Sequence, residues 1–300
     1  MQTIQLAPAL PAFSRLVYGA WRMTDGDDVT PQSALRKIEL CLAQGITTFD
    51  HADIYGGYRC EALFGQALKL APAIKQEMQI VTKCDIMLMT DQYPNRRAKY
   101  YDTSAQHIRA SVDNSLMRLG VDVIDLLLIH RPDPFMNAAE TGACLDALVE
   151  SGKVRGIGVS NFGPWDWQLL QSAMRQTLVT NQIEISLLQR EAFTDGRLAQ
   201  AQQLKAPPMA WSPLAAGAVL GNGDAATRLR PALQRIGQAF GVGADAVAVA
   251  WLLAHPANIM PILGTNDLGR LAKLSDCLKV KIDRETWYEL WTLAAGREVP

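Results

Sequence analysis

Short runs rich in β-branched and aliphatic residues recur along the chain, and the stretches between them carry apolar positions every three or four residues. The runs are 15–19 (RLVYG), 46–50 (ITTFD), 79–83 (QIVTK), 123–130 (VIDLLLIH), 154–160 (VRGIGVS), 181–186 (NQIEIS), 208–212 (PMAWS) and 259–263 (IMPIL). Dense runs such as DLLLI predict strands covered on both faces, as in parallel sheets. The intervening spacing predicts helices. Thr30-Pro31 reads as an N-cap followed by a first-turn proline, with Leu35, Ile38, Cys41 and Leu42 as the buried stripe and Gly45 closing it. A second helix starts near Asp102, repeats apolar groups at Ala105, Ile108, Val112, Leu116 and Leu119, and ends at Gly120. A last amphipathic helix carries Trp287, Leu290, Trp291 and Ala294, while His107 and His255 fall within helical stretches. Strand–helix units of about 37 residues suit a (β/α)8 barrel. The rival, a doubly wound open sheet, usually shows GxGxxG after its first strand, whereas GAWRM stands here. The reading is an α/β protein, a single-domain (β/α)8 TIM barrel over residues 1–300, with an N-terminal extension and long loops at the carboxyl face.

Composition narrows the functional classes. With 49% hydrophobic and 20% charged residues a sizeable core forms, which excludes global disorder. The 29 Lys and Arg against 30 Asp and Glu leave a formal charge of −1, so the field that nucleic acid or an anionic membrane surface would need is missing. Cys41, Cys60, Cys84, Cys144 and Cys277 are scattered and form no CxxC, which argues against a disulfide framework or a zinc ribbon. The N-terminus lacks the pattern of a signal peptide and no apolar run reaches membrane-spanning length, so the expected location is cytoplasmic.

A barrel of this kind places its chemistry at the carboxyl ends of its strands. Those ends read Asp50, Lys83, His130, Ser160 with Asn161, Gln182 with Glu184, and Trp211 with Ser212, each preceded by Val, Ile, Leu or similar residues. Singly, each has a bland reading: Lys83 and Asp50 as a rim ion pair, His130 as a buried histidine, Tyr55 as a packed aromatic. Convergence is the signal. Asp50, Lys83 and His130 end consecutive runs, and Tyr55 follows Asp50 by a stretch short enough to curl back over the mouth. An ammonium beside a phenol is expected to lower its pKa, with the carboxylate keeping the lysine charged, and the histidine to orient a reacting oxygen.

With its surroundings, this constellation resembles the aldo-keto reductase family. FDHADIYGGYRCEALFG is similar to the family's Asp–x4–Tyr–Gly signature with Glu61 and Gly65 following, and VTK, LLLIHRPD, GVSNF, NQIE and WSPLAAG occur in the family's order. The resemblance implies Asp50, Tyr55, Lys83 and His130 as catalytic tetrad, and reduction of small aldehydes or ketones by NADPH with Tyr55 as proton donor. It implies cofactor contacts from Ser160, Asn161 and Gln182 to the carboxamide and from Trp211 to the nicotinamide face. Ser212, Leu214 and Gly217 would form the pyrophosphate loop, Thr265 and Arg270 would hold the 2′-phosphate, and Trp21 would line the substrate pocket. No resident metal is implied. Gly264 stands where many members have lysine, and Lys273-Leu274 where some have Glu-Asn, so NADH use stays open. His51, where many members carry Thr, has no assigned role. Residues 131–137 and the charged stretch YPNRRAKYY, read as a solvated loop, are candidate walls of the substrate pocket. Three rivals are retained: a cofactor-binding sensing subunit with little turnover, a metal hydrolase using Asp50, His51, Asp53 and His130, and a Schiff-base aldolase on Lys83. The substrate's identity and the oligomeric state are not legible in the sequence.

Overall fold

The computed structural model describes residues 1–299. Eight parallel strands, β1 (Val17–Gly19), β2 (Thr48–Asp50), β3 (Gln79–Cys84), β4 (Leu126–Ile129), β5 (Ile157–Ser160), β6 (Leu178–Glu184), β7 (Met209–Trp211) and β8 (Met260–Leu263), close in sequence order into a barrel. The outer layer comprises α1 (Pro31–Leu42), α2 (Cys60–Leu70), α3 (Ala105–Leu119), α4 (Ala138–Glu150), α5 (Pro164–Ser172), α6 (Arg197–Gln203), α7 (Asp224–Phe240), α8 (Ala244–Leu253) and α9 (Arg284–Ala295). The (β/α)8 TIM barrel expected from the alternation is the observed fold.

Strand alternation explains why an apolar barrel carries a polar mouth. Val17, Val81, Leu126, Leu128, Met209, Met260 and Ile262 fill the interior together with Leu6, Leu10 and Phe13. These last three come with the N-terminal hairpin, Thr3–Ile4 against Phe13–Ser14, which caps the opposite end. Because side chains on one face recur every second residue, the position two beyond each interior residue continues the same column toward the carboxyl end. Val81 is thus followed by Lys83, Leu128 by His130 and Met209 by Trp211, while Val17 and Ile262 lead to Gly19 and Gly264. The top layer is polar or bare where the layer beneath is Val, Leu, Ile and Met.

The helices follow their sequence signals with local corrections. Thr30 caps α1, its hydroxyl accepting from Ser33 N at 3.2 Å, with Pro31 in the first turn. The buried face of α1 is Ala34, Lys37, Ile38 and Cys41, so Leu35 and Leu42 are only half-buried and a lysine lies in the stripe. Ser104, not Asp102, caps α3, because the Asp102 carboxylate accepts from Ser104 N at 3.0 Å and turns the chain before the helix begins. The fourth strand begins at Leu126, with Ile124 making only an isolated bridge to Val154. The sixth runs from Leu178 and stops at Glu184, since the Ser186 hydroxyl accepts from Leu188 N and Gln189 N and bends the chain away. His255 lies just past α8 rather than inside it. Among the described residues no single helix is long and apolar enough to cross a membrane.

Candidate active site

Asp50 ends β2, Lys83 lies one residue before the end of β3, and His130 follows β4 directly. Barrel closure sets these residues side by side. The fully buried Lys83 Nζ donates to both Asp50 oxygens at 2.8 Å, to His51 O at 2.6 Å and to Tyr55 Oη at 3.0 Å. Tyr55 opens a single helical turn, Tyr55–Tyr58, which reverses through Gly56 (φ 59°) and Gly57 (φ 63°), a backbone that glycine adopts without steric penalty. The Tyr55 ring stands edge-on to His130 with centroids 6.0 Å apart. All four residues expected to form a tetrad are therefore brought together.

Electrostatics correct one expectation. The Tyr55 pKa is not lowered: burial raises it well above the usual phenol value, and the Asp50 charge raises it further. Burial is the larger cause, since the ring lies out of water where the charged phenolate is poorly solvated, and the neighbouring carboxylate adds to it. Burial pushes Asp50 up and Lys83 down, each held back by its partner's charge. His130 is driven well below 6.5 by burial and then by the charges of Lys83, Arg131 and Lys99. The site therefore holds a neutral phenol and a neutral imidazole at neutral pH.

A continuous hydrogen-bonded arc extends this group around the mouth. Gln182 Nε2 donates to Asp50 Oδ1 at 2.8 Å, and Ser160 Oγ donates to Gln182 O at 2.9 Å. Asn161, held at φ 61°, donates from Nδ2 to Ser160 Oγ at 2.9 Å and to His130 O at 3.2 Å. Its Oδ1 accepts from Trp211 Nε1 at 2.9 Å, so the indole expected to face a nicotinamide is tied to a residue expected to hold its carboxamide. Past β7 the chain winds through hydrogen-bonded turns at Ser212 (φ 49°), Leu214 and Gly217 (φ 95°), with Leu214 packed on the core and Gly217 in open space.

Thr265 and Arg270 lie beyond β8. Thr265 Oγ1 accepts from Asp267 N at 3.2 Å, and Asp267 caps the short turn that carries the exposed Arg270. Gly264 has a steric explanation: a Cβ there would lie 2.7 Å from Gly19 O, so a lysine side chain has no place to start. Trp21, 55% exposed just past β1, lies beneath the Arg22 guanidinium at 5.1 Å.

Two residues that sequence reasoning passed over organise this side of the mouth. Asn266 Nδ2 donates to Arg22 O at 2.7 Å and to Asp25 O at 3.0 Å, while its Oδ1 accepts from the buried Lys37 Nζ at 2.9 Å. A lysine in the apolar stripe of α1 was the available signal. The charged stretch after β3 is more than a solvated loop. Ile86–Met87 pairs with Tyr100–Tyr101, and Arg96 donates to Tyr58 Oη at 2.8 Å and Leu88 O at 2.9 Å while stacking on Tyr93 at 3.7 Å. His51 turns its ring onto Phe64, centroids 4.4 Å apart, and burial takes its pKa down to about 3. Among the described residues no three His, Cys, Asp or Glu side chains form a cluster that could hold a metal ion.

The closed parallel barrel brings Asp50, Tyr55, Lys83 and His130 together at its mouth, and similarity to known proteins defines the enzyme class. Residues 15–294 match the model of the Aldo/keto reductase family, and the protein is a member of that family, an NAD(P)H-dependent carbonyl oxidoreductase. It is 55% identical over the full length of both chains to a 6-dehydroglucose reductase of Agrobacterium fabrum. A second 6-dehydroglucose reductase, from Novosphingobium aromaticivorans, is 39% identical, with 99% of this chain and 96% of that one covered. In three dimensions the chain superposes on an aldo/keto reductase from Klebsiella pneumoniae crystallised with NADP and acetate, with a TM-score of 0.76 at 24% identity, over 96% of this chain and 93% of that one.

Proposed function

We propose that the protein reduces the aldehyde group of a small polyhydroxylated substrate with NADPH, and that Tyr55 delivers the proton. The observation that carries this reading is the contact of the buried Lys83 ammonium with Tyr55 Oη at 3.0 Å, beside a neutral His130. The substrate class rests on the name of the relatives, 6-dehydroglucose reductase, the first of which shares 55% identity with this chain.

The chain's own groups suit a dinucleotide. Arg270 is exposed and, among the described residues, makes no ion pair, so its planar fork is free for a phosphate. Trp211 offers a ring face held in place by Asn161. Ser160, Asn161 and Gln182 line the same arc, with Gln182 Oε1 free while its amide nitrogen serves Asp50. When bound, the reduced nicotinamide supplies the hydride. Everything else falls to the protein. The neutral His130 imidazole donates a hydrogen bond to the carbonyl oxygen and polarises it. As negative charge gathers on that oxygen, Tyr55 Oη passes its proton to it, and Lys83 stabilises the phenolate left behind. The raised pKa keeps Tyr55 protonated across the physiological range, the state that reduction requires.

Tyr55→Phe is the test. Loss of the proton donor should lower turnover of an aldehyde by about 10²- to 10⁴-fold, read as loss of NADPH absorbance, with NADPH binding by fluorescence quenching nearly unchanged. A Tyr55→Phe protein with wild-type turnover would overturn the mechanism. Tight NADPH binding without turnover of any aldehyde by the wild-type protein would favour a sensing subunit instead.

A further inference from the structure

His130 is followed at once by Arg131, whose side chain is held at the mouth. Its backbone N–H donates to the buried Asp85 Oδ2 at 3.0 Å, and its guanidinium carbon lies 5.9 Å from the centre of the Trp211 ring. Trp211 is fixed in turn by Asn161. Next to that indole, Glu184 is the direct cross-strand partner of Trp211 between β6 and β7. By strand alternation it continues the interior column of Thr180 and Gln182. Both charged groups are half-buried, yet among the described residues neither the guanidinium nor the carboxylate makes an ion pair or a hydrogen bond. Burial raises the Glu184 pKa, and the charges of Arg131 and Arg197 oppose that rise, which places the guanidinium within electrostatic reach of the carboxylate.

A half-buried arginine and glutamate that both lie near the Trp211 indole without pairing leave donors and an acceptor unused beside the reacting centre. An apolar substrate would cover these groups without pairing them, which is costly. A carboxylate or phosphate would suit Arg131 but would face the Glu184 charge. Neutral hydroxyl groups satisfy both, accepting from the guanidinium and donating to the carboxylate. We propose that Arg131 and Glu184 recognise hydroxyl groups on the carbons next to the reacting carbonyl and so select polyhydroxylated aldehydes over plain ones. This rests on the carbonyl-reduction reading above and assigns its substrate specificity to two residues outside the expected tetrad and cofactor contacts.

The experiment compares D-glyceraldehyde with propanal, which differ only in the two hydroxyls, and adds succinic semialdehyde as an anionic probe. Wild-type protein, Arg131→Leu, Arg131→Lys and Glu184→Gln are assayed with NADPH. Loss of a hydrogen bond to a charged group corresponds to about 10- to 100-fold. The ratio of kcat/KM for glyceraldehyde over propanal should fall by that much in Arg131→Leu, mainly through KM, and by less in Glu184→Gln, with Arg131→Lys recovering part of it. Parallel losses on both aldehydes, with the ratio unmoved, would overturn the assignment while leaving the reduction reading intact. So would a wild-type preference for succinic semialdehyde over glyceraldehyde. Wild-type protein that turns over no aldehyde at all would overturn the reduction reading, and this one with it. Because Glu184→Gln is nearly isosteric, it keeps the proposal testable if Arg131→Leu fails to fold.

Discussion

Asp53 shows how much a single buried group contributes beside the reacting residues. Its backbone N–H donates to Lys83 O at 3.0 Å and its Oδ2 accepts from Ser111 Oγ at 2.7 Å, while Oδ1 has no partner. Burial raises its pKa to about 7. An unfolded aspartate titrates near ~3.9, so the native state binds this proton more tightly. The resulting stabilisation is complete below about pH 4 and is lost as pH rises through 7. Asp53→Asn keeps an acceptor for Ser111 and removes the charge. It is expected to gain about 1–3 kcal/mol over the wild-type protein at pH 8 and little at pH 4.5, read by urea denaturation at the two pH values. An equal effect at both would show that Asp53 does not carry the proton. At this scale the sequence was informative about residue types at strand ends and silent about burial. Tyr55, Lys83 and His130 could be picked out by position, but the direction of the Tyr55 shift could not, because desolvation depends on neighbours brought in by other strands.

The elements were read mostly from periodicity, and the corrections cluster where side chains compete with the backbone. Asp102, Ser104 and Ser186 each bond a nearby backbone N–H and so move a helix start or end a strand. The packing of α9 on α8 shows a different gap. Trp251 and Trp287 stack at 4.7 Å with planes 10° apart, and each indole N–H donates to the other's backbone carbonyl, at 3.0 and 3.1 Å. Phe193 leans on both rings. Periodicity marked Trp287 as inward-facing on α9, yet the reciprocal pairing with Trp251 needed the fold. Trp251→Ala leaves a large cavity and removes the indole hydrogen bond to Trp287 O, and should cost about 3–5 kcal/mol. The midpoint of chemical denaturation should fall while KM for the cofactor stays unchanged. A shift under 1 kcal/mol would mean that the helices hold without the stack.

Closure of the whole barrel depends on the seam where β8 meets β1. A Cβ on Gly19 would approach Ile262 Cγ2 at 2.8 Å, and one on Gly264 would approach Gly19 O at 2.7 Å, so both positions lack side chains for want of space. A lysine side chain at position 264 is therefore incompatible with this seam as it stands. Gly264→Lys should lower stability by about 1–3 kcal/mol and leave the NADPH-to-NADH ratio of kcat/KM unimproved. A stable variant with a sharply raised ratio would show that the seam can open to admit the side chain. The loop beyond the seam is held instead by Asn266, which links Lys37 on α1 to the carbonyls of Arg22 and Asp25.

Alternation of apolar runs with helical periodicity determined the barrel, since each strand's column of interior residues is local and repeats every second position. The same rule put Lys83, His130 and Trp211 at the mouth, and the order of motifs pointed to the family. Closure of the barrel decided what local pattern cannot carry. It set Gln182 onto Asp50, Trp211 onto Asn161 and Lys37 onto Asn266, pairs separated by many tens of residues. It also determined which charges lie together in low dielectric, and hence that Tyr55 stays a neutral phenol rather than an acidified one.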